Sequence, residues 1–543
     1  MTKYAIGVDF GTLSARALLV DLSNGNEVSE SEFTYPHAVM TEEDFNGISL
    51  LKTDAFQHPQ DYLDAFRAVV RGVVENAKIT ASDVIGVGID FTSCTVLPVK
   101  KDGTPLCFLD KFKNNPQAYV KLWKHHSAEP EAESITKLAT EKGEKWLKGY
   151  GGKVSSEWMF SKFLETLHKS PEVFNECDRF LEAADWLTWQ LTGVETHSSC
   201  MAGYKGLWNK ETGYPSNEFW KNFDPKFGDI IGRKISENVI PTGTKAGEID
   251  ERGAELCGLA VGTAVAVPII DAHAALPAAG IVDSGKLMII AGTSSCHIVM
   301  SEEKKDVRGI CGSVTDGIIP GLVAYEAGQA CVGDSFDWFV KNCVPAKYSD
   351  DAKRVGKSIF EYLTEKAENL KVGESGLLAL DWWNGNRTPY ADYDLTGMIL
   401  GLNLQTKPEE IYRAIIESTA FGTRAIIDLY EKSGVAVSEV YVAGGISHKN
   451  EFMMQLYADV LGREIKIAKS TQAGAKGSAI FASVAGGYFP TAKDAASVIA
   501  DECDKIYYPC HENTEKYEKL YNEYIKLSDF FAKSDIMKNL KKI

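Results

Sequence analysis

Apolar residues follow two rhythms along the chain. Short unbroken runs, YAIGVDF, VIGVGIDF, AVAVPIID, LMIIAG and VYVAGG, have the length and β-branched content of buried strands. Between them, apolar positions recur three and four residues apart. HPQDYLDAFRAVVRGVVENA places Tyr62, Phe66, Val69, Val70 and Val73 on one helical face. SSEWMFSKFLETLHKSP predicts a helix that opens at a Ser cap and stops before Pro171. KPEEIYRAIIESTAFGTRAIIDLYEKSG has Pro408 in its first turn and closes at Gly434. Strands alternating with helices predict an α/β architecture. The last segment carries Tyr517, Leu520, Tyr521, Tyr524, Leu527 and Phe531 on one stripe, which predicts an amphipathic helix docked on a domain surface.

One pattern occurs twice. GVDFGTLSARALLVD, residues 7–21, is a strand, a Gly-Thr turn, small polar residues and a second strand. LMIIAGTSSCHIVM, residues 287–300, repeats it about half the chain later. Two copies predict two related domains facing a shared ligand, one over residues 1–282 and one over 283–543. The length of 543 residues agrees, since about 150 residues per domain gives two to four units.

Composition narrows the function. A net charge of −17 disfavours broad nucleic-acid or anionic-membrane binding. It leaves room for a phosphate ligand, which backbone N–H groups and one metal ion can hold locally. No apolar run reaches the ~18 residues of a membrane span, and the N-terminus enters a strand without a signal-peptide pattern. Eleven scattered cysteines with no C-x-x-C pair argue against a disulfide framework or zinc, and a cytoplasmic location is expected.

Neither Gly-Thr turn is a P-loop or a dinucleotide fingerprint. Glycine lets the backbone approach an anion, and successive N–H groups form a nest. Gly11 and Thr12 in the first turn, and Gly292, Thr293 and Ser294 in the second, are therefore candidate phosphate contacts. Asp9, at a strand end, can hold Mg²⁺ directly or through water; it can also be a turn-forming carboxylate. Gly444-Gly445, at a strand-to-helix junction, can let an adenosine lie on the backbone. Asp271 ends an apolar strand before an Ala-rich helix, where it can be a helix cap or a general base. His273 reads as a packed residue.

Taken in order, these elements resemble the FGGY family of carbohydrate kinases over nearly the whole chain. Longer segments carry the resemblance more specifically, among them DFTSCTVLPV, YGGKVSSEWM, AGYKGLW, DAHAALPAAG, GTSSCHI, YEAGQACVGD and LALDWWNGNR. The resemblance implies two actin-like, hexokinase-like (ribonuclease H-like) domains with a cleft between them. It implies ATP-dependent phosphorylation of a ketopentose, L-ribulose to its 5-phosphate as in arabinose catabolism, with ATP and Mg²⁺. Xylulose, D-ribulose, ribitol or glycerol are the rival acceptors, and a non-kinase ATPase of the actin-like superfamily is the rival outside the family. Asp271 matches the catalytic base. Ser93, Lys205 and Glu326 match sugar contacts, and Gly444, Gly445 and Asn450 the adenosine side. The implied partners are the sugar and ATP, with a homodimer left open. Trp382 and Trp383 can stack on a sugar or pack a core. Gly474 and Lys476 depart from the apolar turn expected in what reads as an adenosine-side helix.

Overall fold

The computed structural model describes residues 2–469 and 472–543. Two sheets repeat one plan. In the first, strands Glu27–Thr34, Ser14–Asp21 and Tyr4–Phe10 run antiparallel; Val84–Phe91 and Ala264–Ala266 continue parallel, and Lys245–Glu248 closes the edge antiparallel. In the second, Val323–Gln329, Ser295–Ser301 and Lys286–Ala291 are antiparallel; Glu439–Ala443 and Ile465–Ala468 follow parallel, and Cys503–Tyr507 closes antiparallel. Here Gly312–Thr315 adds an outer strand beside Val323–Gln329. The two Gly-Thr turns thus occupy equivalent corners of two related sheets. The chain thus builds two related domains of mixed α/β content.

Pro59–Ala77 and Pro408–Lys432 are the crossover helices of the two sheets. Pro59–Ala77 buries Tyr62, Phe66, Val69, Val70 and Val73, the face its periodicity gives. One start differs from the sequence expectation. Met159–Lys169 opens after Trp158 with no side-chain cap, because Ser155 Oγ accepts the N–H of Glu157 one step too early.

Between the strands of the first sheet, the chain leaves to build a smaller lobe. Its four-stranded sheet runs Phe56–Gln57, Val120–Lys121, Val96–Val99, Arg179–Glu182, and an aromatic core of Phe160, Phe163, Phe180 and Trp220 packs with it. The C-terminal part crosses back. Helix Ala473–Ala485 lies on Tyr4–Phe10 and Val84–Phe91 of the first sheet and belongs to its core. Gly88 permits the close contact: a Cβ there would fall 2.1 Å from the carbonyl oxygen of Ser478. The cut at 282 therefore divides the two sheets but not this layer. The terminal helix His511–Lys533 docks on Pro408–Lys432 and beside Asp381; Tyr517 bonds Glu417, Tyr521 bonds Asp428 and Tyr524 bonds Asp381. Among the described residues, no helix is long and apolar enough to cross a membrane.

Candidate active site

Two neighbouring strands end in the same dipeptide. Parallel pairing of Tyr4–Phe10 with Val84–Phe91 sets Asp9 beside Asp90 and Phe10 beside Phe91. The phenyl rings stack with centroids 4.7 Å apart, which fixes the register under the carboxylates. Asp90 is fully buried, and its Oδ2 accepts the Ser478 hydroxyl at 2.7 Å. Burial pushes the Asp90 carboxyl well above its ordinary range, and the charge of Asp9 adds to this. Asp9 is raised too, by burial, against the opposing pull of its hydrogen bond with Asp90 and the charge of Arg16.

Gly474 sits over this pair. A Cβ at that position would lie 2.8 Å from Asp90 Oδ1 and 3.1 Å from Asp9 Cγ. This corrects the placement of Gly474 and Lys476 on an adenosine-side helix. Their helix covers the first sheet, Gly474 leaves room for the carboxylates, and buried Lys476 pairs with Glu27 and Asp501. Ser470 and Thr471, which precede it, lie outside the described residues.

Asp271 follows the short strand Ile269–Ile270, which pairs with Asp90 and Phe91. It is the first residue of helix Asp271–Ala278 rather than the cap, which is Ile270. Its Oδ1 still accepts an otherwise unpartnered helix N–H, that of Ala272, at 2.7 Å. Burial, aided by the charge of Asp9, pushes the Asp271 carboxyl up to about 7. That value suits a group that must take a proton near neutral pH.

Lys205 and Glu326 meet close by. Lys205 ends helix Ser199–Lys205, and Glu326 lies mid-strand in Val323–Gln329. Nζ and Oε1 are 3.4 Å apart, and His273 Nε2 is 2.8 Å from Glu326 Oε2. Burial opposes both charges, yet the pairing wins: Lys205 is held above and Glu326 below its usual range. Both charges act on Asp271. Ser93 lies at the corner after Val84–Phe91, where Cys94 has a left-handed φ of 55°. Buried Lys162 holds that corner, donating to the carbonyls of Cys94 at 2.6 Å and Leu122 at 2.8 Å. A cavity of about 350 Å³ opens at Lys205 and Glu326, with Glu157, Trp158, Arg387 and Tyr393 also on its walls; Ser93 and Asp271 do not line it. Trp382 is instead buried in the core of the second half, and Trp383 packs at a tilt against Trp338.

Gly11 N–H donates to Ser14 O at 3.0 Å, and Gly292 N–H to Ser294 O at 2.9 Å. Thr12 is held by Trp123 Nε1, 3.1 Å from its hydroxyl, and by Gln57 at its carbonyl. Thr293 is exposed, and its carbonyl accepts the N–H of Val332. Gly444 has φ 101°, and a Cβ there would fall 2.3 Å from the carbonyl oxygen of Ala291. Only glycine lets the Gly444-Gly445 turn abut the second Gly-Thr turn, at the carboxyl ends of adjacent parallel strands. Asn450 caps helix Glu451–Leu461, accepting the N–H of Met453. The structure thus gathers Asp9, Asp90 and Asp271 near one another and Lys205 with Glu326. Asn450 stands at the start of the helix after the glycine pair.

The sequence matches two family profiles: the N-terminal domain of the FGGY family of carbohydrate kinases over residues 4–277, and its C-terminal domain over 287–486. The chain belongs to the FGGY family of carbohydrate kinases. It is a sugar kinase, and the reading as a non-kinase ATPase falls away. The kinase is 49% identical to the ribulokinase of Halalkalibacterium halodurans, over 99% of this chain and 97% of that one. It is 41% identical to the ribulokinase of Staphylococcus aureus, over 100% and 99%. Xylulose kinase from Rhodospirillum rubrum shares the fold, with a TM-score of 0.80 at 21% identity over 97% of this kinase and all of that chain. The ADP complex of Plasmodium falciparum glycerol kinase has a TM-score of 0.73 at 18% identity, over 97% and 98%. ATP is the phosphate donor of such kinases.

Sequence reasoning missed Asp90, Glu157 and Arg387. The repeated Asp-Phe at the ends of YAIGVDF and VIGVGIDF was the signal for Asp90. Among the described residues there are two tight histidine–carboxylate groups, His37–His58–Asp61 and Asp54–His125–Glu165. In the second, Glu165 already takes Lys121, Lys169 and His125, so its charge is spent within the protein.

Proposed function

We propose that this kinase phosphorylates the 5-hydroxyl of L-ribulose with ATP and Mg²⁺, in the cytoplasm. The observation that carries the reading is the linked array Asp271, Glu326, Lys205: a buried carboxyl tuned near neutrality beside a paired carboxylate and ammonium. The name of the full-length relatives supports ribulose as the acceptor.

In this reading Lys205 and Glu326 orient the sugar hydroxyls through charge-assisted hydrogen bonds. Asp271 accepts the proton of the attacking hydroxyl. The Gly11–Thr12 and Gly292–Ser294 turns lie against the phosphates, where the hydroxyls of Thr12, Thr293 and Ser294 can donate, and Gly444-Gly445 carries the adenosine. Positioning and electrostatics supply most of the rate in phosphoryl transfer, so several modest donors are enough. The buried Asp9–Asp90 pair, with room kept by Gly474, fits a hard cation with oxygen ligands, and Asp9 is the carboxylate that would hold it. Asp9 would hold Mg²⁺ there, and the ion would supply positive charge against the transferred phosphoryl group.

Asp9→Ala is expected to raise the Mg²⁺ concentration for half-maximal rate and to lower kcat. An unchanged Mg²⁺ titration at full activity would leave Asp9 a turn residue. The acceptor is tested by kcat/KM for L-ribulose, D-ribulose, D-xylulose, ribitol and glycerol. L-Ribulose should rank first, and a higher value for another acceptor would reassign the substrate.

A further inference from the structure

Arg387 brings an unclaimed charge to the sugar cavity. It follows the second core in the segment Trp382–Pro389, and its side chain lies along strand Val323–Gln329: a Cβ on Gly328 would stand 3.4 Å from its Nη1. No carboxylate of the described residues forms an ion pair with it, although burial works against its charge. Tyr393 lines the same cavity and acts on its charge, and Lys153 lies over the Tyr393 ring at 5.4 Å. Glu157 lines the same cavity, contributed by the other half of the chain, with the imidazole Nδ1 of His126 3.9 Å away. A guanidinium left without a carboxylate on a cavity wall is set up to donate to a ligand.

The cavity has a direction. Asp271 feels the charges of Asp9, Lys205 and Glu326; Arg387 feels Cys311, Cys296, Tyr393 and Glu157 and itself acts on Glu326, so Glu326 stands between the two. Lys205 and Glu326 also line the cavity that Arg387 and Glu157 share. A ligand with its reacting hydroxyl at Asp271 and its middle at Lys205–Glu326 has its far end beside Arg387. At that end an open-chain 2-ketose presents a carbonyl next to a primary hydroxyl. The forked donors of a guanidinium match two adjacent oxygens, and a carboxylate opposite accepts the hydroxyl proton.

We propose that Arg387, with Glu157, forms a subsite for the C1–C2 end of the ketose, remote from the phosphorylated hydroxyl. This assignment rests on the sugar-kinase reading of the site. It makes the acceptor bridge both halves of the chain, so recognition of the far end and closure of the cleft are one event.

The test pairs a variant with a trimmed substrate. KM for L-ribulose and for 1-deoxy-L-ribulose is measured on wild type, Arg387→Met and Arg387→Lys, with a thermal melt on each preparation. Arg387→Met should raise KM for L-ribulose roughly tenfold or more, the loss expected for a charged hydrogen bond. For 1-deoxy-L-ribulose the same substitution should change KM less than about threefold, because part of the contact is already gone. Arg387→Lys should fall between, since it keeps the charge and loses the fork. Equal factors for both ketoses, whether large or none, overturn the subsite. A wild type that turns over neither ketose above its ATP blank overturns the sugar reading instead.

Discussion

Asp271→Asn is expected to fold and to bind ATP and sugar, yet to lose at least about a hundredfold in kcat, the lower bound for a general base. Asparagine keeps a carbonyl oxygen for the Ala272 N–H, so the helix start survives while the proton acceptor does not. The carboxyl also predicts a pH profile. With its pKa raised to about 7, wild-type Asp271 is protonated below neutrality, and the rate should fall on the acid side as the base is lost. Stability carries the opposite sign. The folded carboxyl holds its proton to about pH 7 while the unfolded one releases it near 3.8, so folding takes up a proton between these values. Wild-type stability is therefore lost as pH rises through that window. Asn does not have this cost, so the variant should melt higher than wild type at pH 8 and alike near pH 4. A residue that only started a helix would show near-normal kcat in the variant.

Glu326→Ala is the second large effect. Glu326 accepts from Lys205 on one oxygen and His273 on the other, within a buried setting. Removing it takes away a sugar contact and leaves a buried ammonium without its partner. KM for L-ribulose should rise by roughly 10- to 150-fold, from ~1.5–3 kcal/mol for a charged hydrogen bond, with a lower Tm. KM for ATP should stay near wild type, because the glycine turns lie elsewhere. Lys205→Ala should show the same split. A sugar KM unmoved in both variants would remove the pair from the site.

Much of this arrangement is legible in the sequence because it is local. A Gly-Thr hairpin, a Gly-Gly junction and an Asp closing an apolar run each need only neighbouring residues, and the duplication of the hairpin points to two related sheets. Asp90 escaped because its meaning comes from the register of two distant strands; in its own segment it is one acid before a phenylalanine. Gly474 and Lys476 read as oddities of a nucleotide pocket because a cut at one position hides a helix that returns to the first sheet. Arg387 stood in a recognisable stretch, NGNR, but a lone arginine two residues before a proline looks like a surface loop until the cavity is seen. Ser155 shows the limit of capping rules: the serine is there, but it bonds the N–H of Glu157 and the helix starts later.

The most direct test of the central claim is ADP formation by the wild-type enzyme with and without L-ribulose, with the phosphorylated carbon assigned by ³¹P–¹³C coupling in the product. The account predicts turnover that depends on L-ribulose and a phosphate on C5. Sugar-independent ATP hydrolysis at the same rate, or a phosphate on another carbon, would contradict it.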